Sequence, residues 1–148
     1  MLGFNYRMDE LRAALGLVQL QHLPEWNAKR KALTRQYMDL LYDRCPGVLA
    51  PFRKAQGASS SNHIMPIILP EKTDRQSVVD TLRDRGIQTT IHYPPVHSFS
   101  FYRKNYSTAA LPLTEEFSRR ELTLPLHPRL EPEHIQKVIR ALAEALSQ

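Results

Sequence analysis

The chain has 148 residues, 42% of them hydrophobic and 24% charged, which suits one ordinary globular domain with a single core, and nothing in this composition points to a fibre or a disordered tail. No apolar run approaches the roughly 20 residues needed to cross a bilayer, and Met1 to Asn5 lacks the charged and then apolar pattern of a signal peptide, so a cytoplasmic protein without membrane contact is expected. One cysteine, Cys45, excludes an intramolecular disulfide framework and a multi-cysteine zinc site. The net charge of +5 comes from bases interspersed with acids, which suits an anionic ligand at most.

In chain order, Leu11, Ala14, Leu15 and Val18 recur at helical spacing and predict a helix from Asp9, its N-cap, to about Gln21. Pro24 suits the first turn of a second helix, with Trp26, Leu33, Tyr37, Leu40 and Leu41 on its apolar face and Cys45-Pro46-Gly47 as its stop. Residues 51–62 read as an exposed, linker-like loop. His63 to Leu69 has the composition of a strand, in which Pro66 lacks a backbone donor and therefore belongs at an edge or a bulge.

Thr73-Asp74-Arg75-Gln76 has the form of a capping box opening a helix that buries Val78, Val79 and Leu82 and stops at a left-handed Gly86. Ile87 to His92 alternates β-formers with polar residues, the pattern of a strand covered on one face, and Pro94-Pro95 ends it. Beyond a loop rich in aromatics, Thr114 to Leu122 is predicted as a short helix. Glu131-Pro132 opens a last one that buries Ile135, Val138, Ile139, Leu142 and Leu146. This order predicts an α+β fold of one domain, residues 1–148, with helices over a small, mostly antiparallel sheet. The first two helices have less to pack on, so their apolar faces are expected to meet a missing N-terminal region or a second copy.

Taken residue by residue, the chemistry is sparse: the chain has no Gly-rich phosphate loop, no nucleophile elbow and no metal-binding pair of histidines with an acidic or sulfur companion. Two clusters stand where loops carry function, Gly3 to Met8 before a helix and His92 to His97 after a strand. Asn5 and Arg7, two apart in an extended segment, can point the same way and donate to a phosphate or carboxylate. They can equally cap or solvate a helix start, and the residues alone leave both readings open.

The run Gly3-Phe4-Asn5-Tyr6-Arg7-Met8-Asp9-Glu10-Leu11, continuing through Ala13-Ala14, Gly16 and Gln19-Leu20, resembles the segment that follows the lysine region in the DegT/DnrJ/EryC1/StrS family of aminotransferases. His92-Tyr93-Pro94-Pro95-Val96-His97 and Leu124-Pro125-Leu126-His127-Pro128 resemble two later motifs of that family, in family order. The resemblance implies the C-terminal domain of the pyridoxal-phosphate-dependent aspartate aminotransferase superfamily (fold type I), in a dimer that aminates keto groups of nucleotide-linked sugars with glutamate.

By the same resemblance Asn5 and Arg7 would bind cofactor or substrate anions across a dimer interface. His92, Tyr93 and His97 would line the sugar-nucleotide side of the cleft, with no metal involved. The Schiff-base lysine, the acid facing the pyridine nitrogen and the main phosphate loop belong to the family's N-terminal region, and none of Lys29, Lys31, Lys54, Lys72, Lys104 or Lys137 stands in that context. The chain alone is therefore expected to be inactive. The alternative is a non-catalytic module that dimerises or binds a sugar nucleotide. A nucleic-acid-binding domain, suggested only by the basic pI, would rest on Phe99, Phe101, Tyr102 and Tyr106 beside Arg103 and Lys104, rings that core packing and cleft lining explain more simply.

Overall fold

A computed structural model describes residues 7–51, 60–106 and 110–147. Its first element is one continuous helix, α1 (Glu10–Arg44), where the sequence predicts two. Asp9 is the N-cap, accepting the Arg12 N–H at 2.8 Å. Pro24 does not end the helix although it removes a backbone donor. Local pairs brace the helix here: across the proline His22 stacks on Trp26 with ring centroids 5.1 Å apart, and in the turn after it the Lys29 ammonium lies 2.9 Å from the Glu25 carboxylate. The helix stops as expected at Cys45-Pro46-Gly47, where Gly47 takes φ +87°.

Strand β1 (Met65–Ile68) pairs antiparallel with β2 (Glu121–Leu124), Met65 opposite Leu124 and Ile68 opposite Glu121. Isolated bridges extend this pair on both sides, Leu49 to Ile68 beyond β1 and Thr90 to Thr123 beyond β2. Ile68 exchanges both backbone bonds with Leu49, so Pro66, two residues away, also turns its missing N–H away from β2. Its place at the outer side of β1 fits the sequence reading.

Helix α2 (Arg75–Asp84) is capped by Asp74 and not by Thr73: the Asp74 carboxylate accepts the Gln76 N–H at 3.0 Å. Gly86 closes the helix with φ +71°, and the Ile87 N–H bonds back to the Leu82 carbonyl at 2.9 Å. That bond starts the next segment off the sheet. The strand expected at Ile87 to His92 is accordingly reduced to the single bridge at Thr90.

After a 3-10 turn at Val96–Ser98 comes a short helix, α3 (Ser100–Asn105), inside the stretch expected to be loop. Helix α4 (Pro112–Arg120) starts earlier than expected and stops before Glu121, where the chain becomes extended and β2 begins. The helix expected to reach Leu122 had absorbed the first half of this strand. Helix α5 (Pro132–Leu146) opens on a capping box made by Glu131 and His134.

Helix α5 packs on both α1 and α2. The core joins Leu33, Tyr37 and Leu41 of α1, Val78 and Leu82 of α2, and Ile135, Val138, Ile139 and Leu142 of α5 to Met65, Ile67, Leu122 and Leu124 of the sheet. The Tyr37 hydroxyl donates to the Pro125 carbonyl at 2.9 Å, and Cys45 fills the small space at the end of α1. The N-terminal half of α1 takes no part: Leu11 is 84% and Leu15 61% exposed. No described helix is long and apolar enough to cross a membrane, and no described group of histidine, cysteine or carboxylate side chains is arranged to hold a metal. Most of the loop expected at 51–62, residues 52–59, lies outside the described residues.

Three outcomes follow from this packing. Leu142→Ala opens a cavity in the fully buried centre of α5 and should destabilise the chain by about 2–5 kcal/mol in urea unfolding. Thr34→Val should be neutral or stabilising by up to about 1 kcal/mol, because the Thr34 hydroxyl is buried with no partner among the described residues. Burial pushes the Cys45 thiol up to about 11 and raises the Tyr37 phenol too, so both bind protons more tightly in the fold than in the unfolded chain. The thiol's contribution is whole below its ordinary value of about 8.5 and is lost as pH climbs toward 11, while the phenol's begins to be lost only above its ordinary value of about 10. The urea midpoint should therefore fall over that interval, less steeply in Cys45→Ala.

Candidate functional site

Successive residues of an extended chain point to opposite faces of a sheet. On β2, Leu122 and Leu124 enter the core, which leaves Glu121 and Thr123 on the other face. All four are nonetheless buried. The segment after α2 runs alongside β2 and adds its own side chains to the second face. Thr90 is bridged to Thr123, so in the same antiparallel register His92 stands opposite Glu121. Thr90, His92, Glu121 and Thr123 are thus brought onto one face by register alone.

The ladder is diverted there. The His92 N–H does not bond a backbone carbonyl of β2 but the Glu121 Oε2, at 3.0 Å. The other carboxylate oxygen accepts the Thr123 hydroxyl, and the His92 Nδ1 lies 2.9 Å from that same hydroxyl oxygen, with the Thr90 Oγ1 at 3.4 Å. Glu121 has 0% exposure, so both of its oxygens are committed to these two donors away from water.

His92 and the two threonines line a cleft of about 470 Å³ between residues 86–92, the turn after β2 and the first turns of α5. His63, His127, His134 and Lys137 also line it, and among the described residues no aspartate or glutamate does. The His127 Nδ1 accepts the Arg129 N–H at 3.2 Å and the His134 Nδ1 accepts the Glu131 N–H at 3.0 Å, so each ring turns a donating Nε2 outward. The arrangement offers donors to oxygen-rich or anionic groups. His127, from the third of the family-like motifs, is exposed.

Of the residues singled out from sequence, His92 lies in this cleft. Tyr93, 74% exposed, does not line it but holds its ring edge-on to His92 with centroids 4.8 Å apart. His97 is elsewhere: its Nε2 lies 3.1 Å from the Glu115 carboxylate of α4. Asn5 lies outside the described residues, while Arg7 is exposed just before the Asp9 cap. Twenty-three residues of α1 separate Glu10 from Leu33, roughly 35 Å of helix, so Arg7 and the His92 cleft do not converge within one chain. Sequence reasoning missed Glu121 and Thr123, whose alternation with Leu122 and Leu124 was the available signal, and Lys137, which shares the α5 face of His134.

The family model of the DegT/DnrJ/EryC1/StrS aminotransferases matches residues 1–143. Over 143 residues, 95% of its length, the chain is 32% identical to the UDP-4-amino-4,6-dideoxy-N-acetyl-beta-L-altrosamine transaminase of Helicobacter pylori, of which it covers 38%. It is 37% identical over 93% of its length to the dTDP-4-dehydro-2,3,6-trideoxy-D-glucose 4-aminotransferase of Saccharopolyspora spinosa, covering 34% of that protein. Among solved structures, Helicobacter pylori PseC, an aminotransferase involved in the biosynthesis of pseudoaminic acid, superposes with a TM-score of 0.89 at 30% identity, over 99% of this chain and 40% of that one. DesV of S. venezuelae, solved with a ketimine intermediate, gives 0.85 at 32% identity, over 100% and 39%.

The chain spans little more than a third of the length of the curated relatives it matches, 38% and 34%. Its α+β arrangement, a small antiparallel sheet with helices packed on it, is the one these aminotransferases share over the matched region. By the match across residues 1–143, this chain belongs to the DegT/DnrJ/EryC1/StrS aminotransferase family.

Proposed function

We propose that this chain is the C-terminal part, folded as one domain over residues 1–148, of a cytoplasmic pyridoxal-phosphate-dependent aminotransferase that moves an amino group from glutamate to a keto group on a nucleotide-linked sugar. The observation that carries the reading is the family match over residues 1–143 by a chain that covers 38% of a relative named for a UDP-linked sugar. The second relative is named for a dTDP-linked one. In this reading the cleft beside His92 meets the sugar nucleotide, with Tyr93 at its rim. His97 supports the same loop through Glu115, and Asn5 and Arg7 serve a site completed by another polypeptide segment.

The described residues do not by themselves fit pyridoxal phosphate. A lysine that forms a Schiff base must reach an enclosed site and give up its proton there. Lys29 is instead tied to Glu25 on the surface of α1, and that carboxylate raises its pKa. Lys31, Lys72, Lys104 and Lys137 are exposed, and among the described residues lining the cleft beside Lys137 there is no carboxylate to face a pyridine nitrogen. Lys54 lies outside the described residues.

The first half of α1 supports the need for more protein. At roughly 100° per residue, Leu11, Leu15 and Val18 share one side of the helix while Leu17 and Leu20 lie on the opposite flank, and all five are exposed. A helix apolar on more than one side belongs in an interior, so it calls for cover from two directions. A missing N-terminal half together with a second subunit would supply both. A dimerising module without catalysis is the second reading, favoured by the same exposed leucines, and would cover one side only.

Two measurements test the proposal. On its own, the chain titrated with pyridoxal phosphate and reduced with borohydride should show no stoichiometric adduct on any one lysine. Joined to the N-terminal region of the Helicobacter pylori relative in place of that enzyme's equivalent segment, it should give a cofactor-bound protein that consumes glutamate in the presence of a nucleotide-linked keto sugar. A folded, cofactor-loaded chimera that never turns over would sink the assignment.

A further inference from the structure

The cluster on the outer face of β2 fixes where protons sit, and that decides what kind of group His92 can recognise. A carboxylate accepts hydrogen bonds and donates none. Both Glu121 oxygens have a donor: the His92 backbone N–H at Oε2, 3.0 Å away, and the Thr123 hydroxyl at Oε1. The hydroxyl has one proton, and it is given to Glu121. Toward His92 the Thr123 oxygen can therefore offer only a lone pair, and the contact of 2.9 Å requires the imidazole to be the donor there. The Thr90 hydroxyl, 3.4 Å from the same nitrogen, is too far to compete on equal terms.

We propose that Glu121 and Thr123 are positioning residues that hold His92 in its Nδ1–H tautomer, so that neutral His92 turns an accepting Nε2 toward the cleft and receives a hydrogen bond from a ligand hydroxyl. The inference rests on the sugar-nucleotide reading of the cleft and deepens it by separating the roles of the lining residues. His127 and His134 have their Nδ1 atoms engaged as acceptors, and so present Nε2–H donors. His92 is set the opposite way. One wall therefore donates to oxygen lone pairs and the other accepts from a hydroxyl, which matches a polyhydroxylated ligand and not an inorganic anion that can only accept.

The chain of donors also predicts its own reversal. In Glu121→Gln the amide oxygen is still needed by the His92 backbone N–H, which leaves the amide NH₂ facing Thr123. The NH₂ would donate to the hydroxyl oxygen, the hydroxyl proton would turn to the imidazole, and the ring would change to the Nε2–H form. Thr123→Val removes the acceptor altogether and should release the same change, whereas Thr123→Ser keeps the hydroxyl and should keep the tautomer.

The experiment is nitrogen NMR of the histidine rings in the 148-residue chain and these three variants, at about pH 8.5 where an ordinary histidine is neutral, with the backbone spectrum as the check on folding. The expected result is a protonated Nδ1 at His92 in the parent and in Thr123→Ser, and a protonated Nε2 in Glu121→Gln and Thr123→Val. A parent ring in the Nε2–H form, or a folded Glu121→Gln whose ring is unchanged, overturns the proposal. This readout needs no ligand and no turnover, so its failure is distinct from that of the aminotransferase reading, which the chimera decides.

Discussion

The full burial of β2 is the constraint on which the rest of this structure turns. A strand with alternating Leu and polar residues is built to have one wet face, yet Glu121 and Thr123 are as enclosed as Leu122 and Leu124. Enclosing a carboxylate is costly unless its oxygens are satisfied. The segment from Ile87 to His92 meets that requirement by giving up regular pairing, one end bonding back to α2 and the other offering the His92 N–H to the Glu121 side chain. The same concession places the His92 ring at the cleft. Structural and functional demands on residues 87–92 are thus met by one geometry.

How much of this was legible in the sequence depends on where the determining contacts lie. Helices α2 and α5 were readable because periodicity, an N-terminal Asp or Glu-Pro and the glycine stop at Gly86 all act within a few residues. Helix α1 was divided wrongly at Pro24 because proline propensity was weighed without the His22–Trp26 stack that spans it. Strand β2 was partly lost to a helix because Glu121-Leu122-Thr123-Leu124 is too short for its alternation to outweigh the helical stretch before it. Its pairing with residues more than fifty positions earlier exists only in the fold.

The candidate site divides along the same line. His92 was readable from a motif shared with a family, and the register then set it beside Glu121 and Thr123, whose brief alternation with two leucines marks a strand face but not a site. His97 belongs to the same motif but is engaged with Glu115, so nearness in sequence did not carry over to a shared cleft. Arg7, the described basic residue of the first cluster, stands beyond the exposed tip of α1, roughly 35 Å of helix from Leu33, where α1 enters the core. In the proposed reading, the part of the enzyme that corresponds to the rest of relatives covered to 38% and 34% would bring other surfaces to this tip.

The continuity of α1 through Pro24 has a mechanical consequence. Anchored in the core at Leu33, Tyr37 and Leu41, the helix is a boom whose tip carries Arg7. With roughly 35 Å between anchor and tip, a tilt of about 10° swings the tip by about 6 Å, more than the reach of a hydrogen bond. Two separate helices would have absorbed such a tilt at their joint. A single rod transmits it, so that small adjustments in how the sheet and α5 seat the root of the helix are delivered, magnified, to the guanidinium at its far end.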